Sequence, residues 1–176
     1  LLLDQAYGYT TLIHSQSSMK GGIYTGIHFG LTSGVITTLG LIVGLHSGTH
    51  STLAIIGGII TIAVADAMSD ALGIHISKEA ENILLKKQIW LATAATFLTK
   101  FAMAGTFMLP ILLLPLTTAI IVSVAWGLLV LTFLSFMLAR SQGISPLPVI
   151  AEHVGIALVV VIITHFIGDW IAQAFS

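Results

Sequence analysis

The chain contains no cysteine, which excludes disulfide bridges, a thiolate nucleophile and soft thiolate metal sites. Charge is almost as scarce. Asp, Glu, Lys and Arg make up 7% of the 176 residues, and the formal net charge is −1. A chain so weakly charged offers no basic surface for nucleic acid, and no run of like charges forms a tail. Polar cover is missing too: 56% of residues are hydrophobic, and the stretches between apolar runs are too short for a soluble domain. The composition places the chain in a bilayer, with lipid as its surroundings. Leu1–Ser18 lacks both a basic leading region and a sustained apolar core, so it does not read as a cleavable signal. A start at Met19 is expected, with 1–18 as an upstream or disordered segment before one transmembrane domain over 19–176.

Five apolar segments supply the ~17–25 helical residues that a hydrocarbon crossing needs. They are Phe29–Leu45, Thr52–Ile76, Ile89–Leu114, Thr117–Ala139 and Val149–Gln173. The expected fold is an all-α integral membrane protein of five transmembrane helices, because an open sheet would leave unpaired backbone groups in lipid. Pro110 and Pro115 are expected to bend or end the third span, and Ser145–Pro148 marks the turn into the fifth. Lys20, Lys78, Lys86, Lys87 and Arg140 flank the spans on one side, whereas the loops at 45–51 and 115–116 carry no Lys or Arg. The positive-inside rule then puts the N-terminus and the Ser77–Gln88 linker in the cytoplasm and the C-terminus outside.

Ionisable residues inside spans are costly, roughly 2.5–3.5 kcal/mol for an Asp at a helix centre on insertion scales, and so point to function. Asp66 and Asp70 lie four apart in the second span, which stacks their carboxylates on one helix face. With Met68 and Ser69 nearby, they form a donor set suited to a small divalent ion. Lys100 in the third span lies at a depth that allows it to pair with Asp66, so a structural ion pair is the competing reading. His75 and Glu79 continue the same helix toward the cytoplasm, either as an ion-collecting mouth or as ordinary polar residues at a helix end. Glu152 and His153, at the start of span five, take the same two readings. His46 and His50 sit in the opposite hairpin, and His165 and Asp169 form a further four-residue pair near that end. Gly26, Gly30 and Gly34 form one row on span one and Gly40 and Gly44 another, suited to close packing on another helix of the chain or on a second copy.

The run FGLTSGVITTLGLIVGL from Phe29 to Leu45 resembles the first span of the vacuolar iron transporter family, and DAMSDALGIHIS from Asp66 to Ser77 resembles its second. The family's first-span motif carries an aspartate where this chain has Ser33, and its second-span motif carries a methionine in the slot of Asp70. Family members often have an acidic helical domain between spans two and three, where this chain has a linker of about a dozen residues. The resemblance implies a homodimer joined through the first spans that exports Fe²⁺ or Mn²⁺ from the cytosol in exchange for protons. In a prokaryote that export crosses the plasma membrane.

On this reading the metal residues are Asp70 and Asp66, with Ser33 and Met68 as secondary ligands and His75 and Glu79 at the entrance, near His28. The partners are divalent metal ions, protons, membrane lipid and a second copy, with no nucleic acid and no permanently bound cofactor. Two other classes remain. A non-transporting scaffold or regulatory subunit would use the Asp66–Lys100 pair as a staple. An intramembrane aspartyl protease needs two carboxylates opposed from different helices, and Asp66 and Asp70 share one, so no catalytic residue is expected.

Overall fold

The structure is a computed structural model that describes residues 2–81 and 85–175, with side chains described from Gly21 onward. The side chains of the expected upstream segment 1–18, and the middle of the Ser77–Gln88 linker at 82–84, lie outside the described residues. Among the described residues there is no strand. The elements are α1 (Leu2–Thr49), α2 (Thr52–Glu81), α3 (Lys86–Thr106), α4 (Met108–Leu113), α5 (Leu116–Gln142) and α6 (Pro146–Phe175). Five stretches are long and apolar enough to cross a membrane: Gly21–Thr49, Thr52–Glu81, Lys86–Leu113, Leu116–Gln142 and Pro146–Phe175. The protein is therefore a multi-pass, all-helical membrane protein, as backbone satisfaction in hydrocarbon requires.

α2, α5 and α6 run a few residues beyond their apolar segments, and α1 begins well before Phe29, at Leu2, because polar flanks end burial in lipid without ending helical hydrogen bonding. The third span instead breaks in two. Pro110 cannot donate to the carbonyl of Thr106, and its ring would clash there, so α3 stops at Thr106 and a new turn starts at Met108. Gly143, at φ 68°, ends α5 in the left-handed conformation and gives its N–H to the carbonyls at the helix end. At the opposite end of the bundle a two-residue turn joins α1 to α2. His50 takes φ 50° there, and the Ser51 hydroxyl accepts the Ala54 N–H at 3.2 Å.

The bundle is built around α1. Half of its most apolar window is buried within the protein, against 6% for α6, which presents most of its surface outward. Glycine rows explain why α1 is central. A Cβ at Gly26 would lie 3.0 Å from Ala95 Cβ on α3, and one at Gly34 would lie 3.2 Å from Met103 Cβ. A Cβ at Gly40 would meet Val160 of α6 at 2.9 Å, and one at Gly44 would meet the Thr164 carbonyl at 3.4 Å. Both rows are thus filled within the chain, the first by α3 and the second by α6, so they are not free faces for a second copy. Val35, Leu39, Ile42, Ile55, Ile59, Phe107 and Leu131 close the core between the helices.

Candidate functional site: a charged cluster between three spans

The row Ile55, Ile59, Ala63, Ala67 and Ala71 is the buried face of α2, with small residues toward its second half. Asp66 and Asp70 stand at the edge of this row, which directs both carboxylates to the seam with α1 and α3. On α1, the absence of side chains at Gly30 and Gly34 lets the backbone approach α3 at Lys100: a Cβ at Gly30 would lie 3.2 Å from the Lys100 backbone nitrogen. That approach brings the Ser33 hydroxyl to the same point.

Lys100 is the centre of the site. Its Nζ lies 2.6 Å from Asp66 Oδ2 and 2.5 Å from Asp70 Oδ2, and it donates to Ser33 Oγ at 2.9 Å. Ser33 in turn donates to Asp70 Oδ2 at 2.6 Å. Asp70 is bound by true hydrogen bonds, whereas Asp66 Oδ2 has no partner in hydrogen-bond geometry. Its closeness to Lys100 is therefore an ion pair with poor angles, and Asp66 is the more loosely held carboxylate. The lysine side chain is 2% exposed, against 32% for Asp66 and 21% for Asp70, so the cation is sealed inside while both acids reach the edge of the bundle. Two carboxylates against one ammonium leave a formal excess of one negative charge.

The expected Asp66–Lys100 pair is present, and the lysine engages Asp70 as well. Sequence spacing contained this, since the depth match that pairs Lys100 with Asp66 extends to a carboxylate one turn away. The convergence of Ser33 from a third helix had no such local signal. The two carboxylates face one ammonium from a single helix, a different arrangement from a proton-sharing dyad opposed across two helices.

The remaining expected ligands lie elsewhere. Met68 is 57% exposed, on the opposite side of α2 from the two acids, because two residues are about 200° of helix. His75 is half-buried against α3: its Nδ1 lies 2.9 Å from Thr93 Oγ1 and its ring 4.6 Å from that of Trp90. Thr93 gives its own proton to the Ile89 carbonyl, which leaves its oxygen to accept from His75 Nδ1. Glu79 is exposed at the end of α2, beside the Lys78–Glu81 ion pair at 3.0 Å. His28 lines an open cavity of about 580 Å³ with Tyr24, Thr25, Met137, Leu138 and Ser141. Among the described residues no three His, Asp or Glu side chains are grouped to hold a metal ion. The oxygen donors that do converge are the two carboxylates and the Ser33 hydroxyl.

Comparison with family models, with curated proteins and with solved structures gives no match. The functional reading therefore rests on the chain's own geometry.

At the other end of the bundle the expected His165–Asp169 pair gains a partner from α1. Ser47 Oγ is 2.5 Å from His165 Nδ1, and His165 Nε2 is 3.5 Å from Asp169 Oδ2. The link arises where α1 and α6 come closest, with a Cβ at Gly168 falling 2.8 Å from Ser47 Cβ. At the basic end, His153 Nδ1 pairs with Ser135 Oγ at 2.8 Å, tying α6 to α5.

Proposed function

We propose that this protein moves a divalent cation, Fe²⁺ or Mn²⁺, out of the cytosol in exchange for protons, with Asp70 and Asp66 as the binding carboxylates. The observation that carries this reading is a pair of intramembrane acids held by a single buried ammonium, with a formal charge of −1 and both acids partly accessible. Negative charge at this depth is costly unless it serves a cation or a proton. Carboxylate and hydroxyl oxygens suit iron(II) or manganese(II) better than copper(I). An arriving ion competes with the Lys100 ammonium for the same two oxygens, so a bound and an ion-free state differ by which cation the carboxylates hold. His75, half-buried against α3, stands five residues nearer the basic end and fits an entrance, with exposed Glu79 beyond it. The basic residues support a cytoplasmic position for that end and an outer one for the C-terminus, and if the cell is prokaryotic the membrane is the plasma membrane.

A homodimer fits the partial exposure of the acids. Carboxylates that are a fifth to a third exposed in mid-span are poorly suited to hydrocarbon, and a second copy over the α2 edge would give them polar or hydrated surroundings. The filled glycine rows favour that edge over α1 as the seam.

Mn²⁺ uptake into proteoliposomes, with and without a proton gradient, tests the site. Asp70→Asn should abolish flux while the protein stays folded, because the variant keeps a neutral Asp66–Lys100 pair. Wild-type flux in this variant would remove Asp70 from the site. A second reading, a non-transporting scaffold, draws on the depth of Lys100, which staples α1, α2 and α3 with charges closed inside one chain. It predicts that folded wild-type protein carries no Mn²⁺ or Fe²⁺ at all.

A further inference from the structure

Buried hydroxyls in these spans follow a rule with two exceptions. Thr38, Ser47, Thr96, Ser123 and Ser135 are all buried. Thr96 donates to the Ala92 carbonyl at 2.9 Å, Ser135 to the Leu131 carbonyl at 2.6 Å, and Ser47 pairs with His165. Thr38 and Ser123 are 0% exposed and have no partner, although a helix carbonyl one turn back is the usual acceptor for either. Among the described residues four buried side-chain polar atoms lack a hydrogen bond: Thr38 Oγ1, His46 Nδ1, Asp66 Oδ2 and Ser123 Oγ. Asp66 belongs to the charged cluster. The other three all lie on one side of it.

Their order follows from helix register. At about 1.5 Å per residue, Thr38 stands ~7.5 Å beyond Ser33 along α1 and His46 ~20 Å beyond it. On α5, a Cβ at Gly127 would meet Val35 Cγ1 at 3.1 Å and Leu39 Cγ at 3.0 Å. Ser123, one turn from Gly127 on a helix running the opposite way, then comes within about a turn of the depth of Thr38. Beyond His46 the path reaches Ser47, His165 and Asp169, the last two with side chains 51% and 42% exposed.

Unpaired buried polar atoms are rare because each costs free energy, and a bridging water is the ordinary way to satisfy them. We propose that Thr38, Ser123 and His46 line a chain of buried waters that passes protons between the Ser33–Asp66–Asp70–Lys100 cluster and the end of the bundle at His165 and Asp169. The chain suits protons and not the metal: before Asp169 it holds only hydroxyls and the imidazoles of His46 and His165, with no carboxylate to offset a divalent charge. Each water or hydroxyl takes a proton on one side and gives one up on the other, so no atom changes its bonding count. The titratable groups facing the route are His46 and His50 from α1 and its turn, and His165 and Asp169 from α6. The α5 residues of the seam, Ala119, Ile120, Ser123 and Gly127, add none. This inference rests on the proton-coupled exchange proposed above.

The test uses the full chain in proteoliposomes loaded with a pH-sensitive dye under a Mn²⁺ gradient. The double variant Thr38→Val/Ser123→Ala should lose Mn²⁺-driven proton flux down to the leak of empty vesicles while still binding Mn²⁺ in detergent. Dry hydroxyls with no role would leave proton flux at the wild-type level and raise Tm, and that pair of results overturns the proposal. X-ray radiolytic labelling in detergent gives a readout independent of transport. Ile42 and Ile120, 0% and 8% exposed, should be hydroxylated by adjacent buried water in the wild type and protected in the double variant. Unlabelled wild-type residues would refute the water chain whatever the flux. A wild type that carries neither Mn²⁺ nor protons, yet labels at both positions, would refute the exchange reading and leave the hydrated route standing.

Discussion

Lys100→Met should destabilise the folded protein by about 3–5 kcal/mol, the range for breaking a buried ion pair by removing one partner. The ammonium lies 2.6 Å from Asp66 Oδ2 and 2.5 Å from Asp70 Oδ2, inside a bundle where the lysine is 2% exposed. Methionine fills most of the volume, so the loss is electrostatic: the cluster moves from a formal charge of −1 to −2, with both charges on one face of one helix. Asp70→Asn moves it from −1 to zero and keeps an ion pair, so that variant should lose far less. Adding Asp66→Asn and Asp70→Asn to Lys100→Met should recover much of the loss, because a neutral hydrogen-bonding cluster avoids stranded charge. Thermal unfolding in detergent separates these cases. Equal losses for Lys100→Met and Asp70→Asn would show that packing, not charge balance, sets the stability of the seam.

Gly30→Leu should be among the most damaging uncharged substitutions on α1. A Cβ at Gly30 would collide with Thr99 Oγ1, lie 2.6 Å from the Thr96 carbonyl oxygen and 3.2 Å from the Lys100 nitrogen. Two of these atoms are helix backbone, which cannot rotate away, so α1 and α3 must separate. Overpacking of this kind costs typically 1–3 kcal/mol and occasionally more, and backbone contact puts Gly30 at the upper end. Separation would also draw Ser33 from Lys100, since their 2.9 Å hydrogen bond depends on the same approach, so cation flux should fall with stability. Gly105→Ala is the control, because a Cβ there meets nothing within 4 Å. It should leave Tm nearly unchanged; a loss matching that of Gly30→Leu would mean that close helix approach is not what the glycine provides.

The spans themselves were legible because hydrocarbon leaves the backbone one economical solution, and their apolar runs are long. Their ends were less so. Apolarity measures where lipid burial stops, whereas α1 and α2 continue as helix into polar sequence at Thr49 and Glu81. The break before Met108 was foreshadowed by Pro110, although its position, four residues earlier at the Thr106 carbonyl, follows from where the proline ring would clash.

For the site, the i, i+4 stack of Asp66 and Asp70 and the depth of Lys100 needed nothing beyond helix geometry. Met68 shows the limit of closeness in sequence, since two residues along α2 is nearly the opposite face. The glycine rows on α1 announced close packing without saying what would fill them, because a flat helix face accepts any partner of matching shape.

The sequence by itself determined that this is a membrane protein of helical spans, which residues within each span share a face, and at what depth the charged ones lie. Those properties are local, fixed by 1.5 Å per residue and 3.6 residues per turn. Only the tertiary structure decided that α3 and α6 take the two glycine rows, that Ser33, Asp66, Asp70 and Lys100 meet at one point, and that Ser47 reaches His165 across 118 positions of chain. Those outcomes depend on which helix lies beside which, and that is settled by packing the whole bundle at once.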